Sequence, residues 1–71
     1  MSNRVDPLDP RLSALASEFK TDLATIGWGV DVVMHWEGED GRLENEIVGY
    51  ITGWDRAKAR RFIQRVRALA G

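Results

Sequence analysis

The side chains with the greatest capacity for acid–base or metal chemistry lie near the middle of this sequence. His35, the single histidine, is one residue away from Glu37, and two further acids, Glu44 and Glu46, follow shortly after. If these residues lie on paired strands, one imidazole and neighbouring carboxylates can in principle bind a divalent ion or share a proton. Exposed acids of this kind are usually solvated, and the nearby loop lacks the acid spacing of a calcium site. We therefore expect no metal and no cofactor.

No local sequence pattern supports nucleophilic catalysis. The chain contains no cysteine, and none of its three serines, Ser2, Ser13 and Ser17, is beside the histidine. Glycine-rich loops that cradle nucleotides are also missing. A chain this small offers little room for a substrate pocket. The sequence therefore predicts a protein that is not an enzyme.

The first element that positions these residues is a predicted helix from Pro10 to Ile26. Asp9 is a suitable N-cap, because the residue before a proline avoids helical geometry and proline loses no hydrogen bond at the first helical position. Gly27 is placed to end the helix in a left-handed conformation. The apolar stripe of this helix comprises Leu12, Leu15, Ala16, Phe19, Leu23 and Ile26.

The next two segments are predicted to form an antiparallel β-hairpin. From Trp28 to Glu37, apolar residues alternate with others, which is typical of a half-buried strand. A second strand is expected from Arg42 to Ile51, after turn residues 38–41. A two-residue loop at Asp40-Gly41 and a four-residue loop both keep the apolar faces together, so the pairing register stays open.

The last predicted element is a helix that runs to Ala70. Thr52 followed by Asp55 resembles a capping box at its start. Its apolar face contains Ala59, Phe62, Val66, Leu69 and Ala70, with Ile63 at the edge. The predicted fold class is therefore α+β: one small domain over residues 9–71, helix-strand-strand-helix, with the hairpin packed on both helices and residues 1–8 loosely ordered.

Self-association is expected on two grounds. A two-stranded sheet leaves unpaired edges, and a domain of 71 residues without a disulfide has little stability to spare. We therefore predict a homodimer that extends the sheet. Val33, Val48 and Tyr50, which interrupt the acids on the outer face, are the candidate dimer interface.

Charge is divided unevenly along the chain, although the formal net charge is only −1. Residues 1–53 contain four basic against ten acidic side chains, whereas residues 54–71 contain six basic against one acidic. Such a division is typical of a charged binding surface or of two parts that pair with each other. We favour internal pairing, because surface charges usually lie beside opposite ones.

Two binding functions follow as hypotheses. The favoured one is a non-enzymatic protein-binding module, such as an adaptor or a small stoichiometric inhibitor of the kind that mobile elements encode against host machinery. Its acidic hairpin would meet a basic surface on another protein through Glu37, Glu39, Asp40, Glu44 and Glu46. The alternative is nucleic-acid binding, in which Arg56, Arg60 and Arg67 of the last helix contact phosphates.

The expected compartment is the cytoplasm. Proteins without cysteine are compatible with a reducing environment, and the residues after Met1 lack the apolar core of a secretory signal. No apolar run approaches the roughly 20 residues that a membrane span needs. We therefore expect no membrane partner.

Overall fold

The structure, a computed structural model, describes residues 9–70 and contains four helices in that range. They are α1 (Pro10–Glu18), α2 (Leu23–Met34), α3 (Asp40–Tyr50) and α4 (Arg56–Ala70). Residues 9–70 contain no strand, so the α+β prediction is wrong and the described fold is all-α. The two segments expected to form the β-hairpin are α2 and α3. The predicted loose segment, residues 1–8, lies outside the described residues.

The start of α1 confirms the prediction made for it. The Asp9 carboxylate accepts a hydrogen bond from the backbone N–H of Arg11 at 2.8 Å, and Pro10 occupies the first turn. The helix ends at Glu18 and not at Gly27. Its end is a Schellman turn, in which the N–H groups of Lys20 and Thr21 donate to carbonyl groups of the last helical turn. Lys20 adopts the left-handed conformation, φ 55°, that glycine usually supplies.

Helix α2 forms because its apolar residues also satisfy a helical period. Asp22 caps it by accepting a hydrogen bond from the N–H of Thr25 at 2.7 Å. Ile26, Val30 and Val33 then follow at spacings of four and three and are buried on one face. The helical spacing of these buried residues therefore outweighs the alternation of apolar residues that predicted a strand. Val33, expected on the outer face, is only 4% exposed.

Helix α3 places Leu43 and Ile47 in the core, with Ile51 just beyond its end. A spacing of four residues fits one face of a helix as well as one face of a strand. Asp40 lies in the first turn, where a negative charge stabilises the positive end of the helix dipole. Of the acids expected at the hairpin tip, Asp40 therefore begins α3, and Glu37 and Glu39 lie in the connection before it.

The last helix is predicted correctly, but its cap is not. The side chain that accepts a hydrogen bond from the N–H of Lys58, at 2.8 Å, is Asp55 and not Thr52. The turn before it contains Gly53 at φ 91°. Ala59, Phe62, Ile63 and Val66 are buried, as expected for the apolar face.

Helix α4 packs against both α2 and α3, and α1 packs against α2. An aromatic cluster lies at the centre of this arrangement. Phe19 meets the ring of Phe62 edge-on at 5.4 Å between centroids, and Trp54 lies 5.5 Å from Phe19 and 5.4 Å from Phe62. The cluster joins α1, the α3–α4 connection and α4 in one core. Within residues 9–70, no helix has the length and apolar character needed to cross a membrane.

Candidate functional site

The five acids predicted to bind a partner occupy three different places. Glu37 and Glu39 are exposed in the connection between α2 and α3, and Asp40 begins α3. Glu44 is buried against α4, and Glu46 lies on the outer side of α3. The structure therefore brings together three of the five, although on a helix start and not on a hairpin.

Trp36 organises this connection. Its indole Nε1 donates a hydrogen bond to the backbone carbonyl of Glu39 at 3.0 Å. Gly38 lies beneath the ring, and a Cβ at that position would be 3.2 Å from Nε1. The short connection is thus folded around one indole, which fixes its backbone at Glu39.

Asp40 is linked to the end of α4. Arg67 Nη1 donates a hydrogen bond to its carboxylate at 2.6 Å. This bond holds the pKa of Asp40 below its ordinary value and the pKa of Arg67 above its own. Because Arg67 and Asp40 neutralise each other, Glu37 and Glu39 supply the remaining negative charge of the connection.

A surface cavity of about 250 Å³ lies between the ends of α2 and α4, next to Trp36. We call it the α2/α4 pocket, and it is lined by Val33, Met34, Trp36, Val66, Arg67 and Ala70. Apart from Arg67, the lining side chains are mostly apolar, but polar atoms form a large part of the exposed wall. The carboxyl ends of two helices meet here, at Met34 and Ala70, and each adds partial negative charge. The pocket is therefore of mixed polarity inside, and its one charged lining residue, Arg67, is paired with Asp40.

Glu44 has an internal role. Its side chain is 7% exposed and accepts hydrogen bonds from Arg60 at 3.1 and 3.3 Å and from Arg56 at 3.2 Å. The hydrogen bond from Arg60, followed by that from Arg56, holds the pKa of Glu44 below its ordinary value despite burial. This carboxylate joins α3 to α4 and has little surface left for a partner.

The residues predicted for dimerisation do not share one surface. Val33 is in the core, Val48 is half-buried, and Tyr50 is 60% exposed. Residues two apart on a helix do not face the same side, so Val48 and Tyr50 diverge. Sequence reasoning missed the neighbour of Tyr50, which is Trp28 of α2. The two rings stack at 3.8 Å between centroids with an angle of 13° between their planes.

The arginines proposed for nucleic-acid binding are engaged within the chain. Arg56 and Arg60 hold Glu44, and Arg67 holds Asp40. On the other flank of α4, Arg65 pairs with Glu18 of α1 at 3.1 Å. The internal pairing favoured from the charge division is therefore confirmed for these arginines.

His35 ends α2 and stays within its own helix. Its Nδ1 lies 2.9 Å from the backbone carbonyl of Asp31 and 3.6 Å from that residue's carboxylate. Glu44 and Glu46 are on α3 and do not join it. In the part of the chain that the structure describes, no group of three or more histidine, cysteine or acidic residues is arranged to hold a metal ion.

Comparison with known proteins adds no functional assignment to this geometry. No protein-family model, no curated protein and no solved structure matched the chain.

Proposed function

We propose that this protein is a non-enzymatic protein-binding module of the cytoplasm that holds one apolar side chain from a basic segment of another protein. The observation that carries the proposal is the α2/α4 pocket, in which mostly apolar side chains lie between the carboxyl ends of two helices. An adaptor or a stoichiometric inhibitor acts through such a surface.

The size of the pocket favours a single side chain over a larger ligand. A cavity of roughly 150 Å³ accommodates a benzene molecule, whereas pockets for drug-sized ligands start near 300 Å³. At about 250 Å³, the α2/α4 pocket matches a leucine, methionine or phenylalanine side chain. Burial of such a side chain supplies favourable free energy without any covalent chemistry.

The charge around the mouth favours a basic segment. Glu37 and Glu39 are exposed beside Trp36, and the helix ends at Met34 and Ala70 add partial negative charge. Lysine or arginine residues that flank the inserted side chain would meet this surface. Charges at the rim of an interface act mainly on the association rate and on specificity.

The test is selection of binders from a library of random peptides displayed on phage. We expect enriched peptides to contain one large apolar residue flanked by lysine or arginine. Affinities of the purified peptides are then measured by calorimetry. No enrichment, or enrichment of acidic peptides, would overturn the proposal.

Matched variants locate the binding. Ala70→Trp fills the mouth of the pocket from the end of α4, and we expect it to weaken peptide binding by roughly tenfold. Ala68→Trp places the same ring on an exposed position outside the pocket lining and should leave binding unchanged. If both variants bind like the wild type, the pocket is not the site.

Nucleic-acid binding is the alternative function. It requires Arg56, Arg60 and Arg67 to exchange their internal carboxylate partners for phosphates. Retention of duplex DNA at low salt that decreases when these arginines become alanine would favour that alternative over the proposal.

A further inference from the structure

The outer side of α3 presents a face that the proposed function does not use. The face consists of Arg42, Glu46, Gly49 and Tyr50, which are spaced by four, three and one residues and therefore lie on one side of the helix. All four are exposed. This face is separate from the α2/α4 pocket, because none of the four lines it.

Tyr50 is the most exposed large apolar side chain among residues 9–70, at 60%. Its ring is nevertheless held in position by the stack with Trp28 of α2. A ring that is already ordered loses little conformational entropy on binding. Tyrosine and tryptophan are also the residue types that most often dominate interface energies.

Gly49 precedes this tyrosine, and within residues 9–70 no packing contact requires a glycine at this position. A Cβ at Gly49 would meet nothing within 4 Å, although glycine weakens a helix relative to alanine. The missing side chain leaves the backbone of α3 open to close approach by another helix.

The charges on this face indicate what kind of helix can pack against it. Arg42 and Glu46 carry opposite charges, and neither forms an ion pair with another of the residues that the structure describes. When two copies of α3 lie antiparallel, Arg42 of each copy comes beside Glu46 and Tyr50 of the other. An interface built around a two-fold axis repeats every contact in this way. A partner surface of one sign would instead be attracted by one of these charges and repelled by the other.

We infer that the Arg42–Tyr50 face of α3 binds a second copy of this chain. Each copy then supplies an arginine, a glutamate and a preordered tyrosine to the other, and the glycine admits the close approach. A domain with one small core gains stability from such burial. The pocket of each copy stays free for a peptide.

The test is the mass of the full chain by sedimentation equilibrium over a micromolar concentration series. The expected mass rises from 8.0 kDa toward twice that value. Arg42→Glu and Glu46→Arg should each weaken dimerisation roughly tenfold, because each places like charges in contact. The double variant, which exchanges the two charges, should restore it. Arg61→Glu, an exposed reversal on α4, is the matched control and should dimerise like the wild type.

Tyr50→Ala should also weaken dimerisation, and circular dichroism checks that each variant remains helical. A monomer mass at every concentration would overturn the inference. So would a dimer that is unchanged by both charge reversals and by Tyr50→Ala, because another surface would then form it. Capture of a different protein by the α3 face of a monomeric chain would assign the face to that partner instead.

Discussion

Gly29 of α2 lies directly against the ring of Phe62 in α4. A Cβ at Gly29 would be 2.7 Å from two atoms of that ring, closer than real Cβ contacts. Phe62 is completely buried, so the ring has no room to move aside. The closeness of α2 and α4, and with it the pocket between their ends, therefore depends on one missing side chain.

Gly29→Ala is expected to destabilise the protein by about 1–3 kcal/mol, the usual effect of an additional carbon in a packed core. Gly27→Ala is the matched control in the same helix, because a Cβ there meets nothing within 4 Å. The control should gain up to about 1 kcal/mol from helix propensity. Urea unfolding of both variants measures the difference, and equal stability of the two would contradict the packing at Gly29.

Glu44→Gln should lower the melting temperature, since it removes the negative charge that Arg56 and Arg60 share. The effect depends on pH. The pKa of Glu44 is lowered from its ordinary value of 4.5, so the folded protein binds this proton less tightly than the unfolded chain does. The stabilisation is present above pH 4.5 and decreases as the pH falls through the lowered value. The difference between wild type and variant should therefore shrink in acid.

Asp40→Asn supplies the comparison for that experiment. The pKa of Asp40 is also lowered, by its hydrogen bond to Arg67. Both side chains are about half exposed, however, at 54% and 46%. Water screens such a pair, so its removal should change thermal stability far less than Glu44→Gln does. A larger loss of thermal stability in Asp40→Asn than in Glu44→Gln would contradict the expectation that the buried ion pair contributes more.

The ends of the molecule could be predicted because their signals are local. Asp9 followed by Pro10 is a favourable helix start, and the apolar stripe of α4 has a clear helical period. The end of α1 could not be predicted. Lys20 occupies a left-handed position where glycine is usual, so the sequence contains no glycine that would predict the Schellman turn.

The sequence predicts the wrong element in the middle of the chain, because the apolar residues there fit both a strand period and a helical period. Leu43, Ile47 and Ile51 are four residues apart, which suits both a strand face and a helix face. In α2, valine and tryptophan favour strands by propensity, but packing against α4 outweighs a preference of this size. By propensity, Gly29 would weaken a strand or a helix, and only its contact with Phe62 explains why a glycine lies there.

For the candidate site too, only contacts between residues that are close in sequence could be predicted. Glu37, Glu39 and Asp40 are neighbours in sequence, so their proximity could be predicted. The α2/α4 pocket joins residues 33–36 to residues 66–70, and only tertiary packing brings them together. The stack of Trp28 on Tyr50 is likewise a contact between two helices that no local pattern reveals.

Asp22→Ala should lower the melting temperature by a few degrees, because it removes the side-chain acceptor at the start of α2. Asp22→Asn should recover most of the loss, since its carboxamide oxygen also accepts from Thr25. The hydrogen bond lowers the pKa of Asp22 from 3.8, so its charge-dependent stabilisation disappears in acid. Ser13→Ala, at an exposed position within α1, is the control. Equal melting of the Asp22→Ala variant and the wild type would contradict a helix start at this residue.

Phe19→Ala is expected to remove a large part of the free energy of folding. Phe19 is 2% exposed and contacts the rings of both Trp54 and Phe62. Truncation of a buried phenylalanine costs about 3–5 kcal/mol, and a domain of this length has a total stability of about 4–11 kcal/mol. Phe19→Leu should lose less, because it refills part of the volume. Leu23→Ala removes an apolar side chain that is half exposed and should lose least. Urea unfolding followed by tryptophan fluorescence ranks the three variants, and a Phe19→Ala protein as stable as Leu23→Ala would show that α1 is not held by this aromatic cluster.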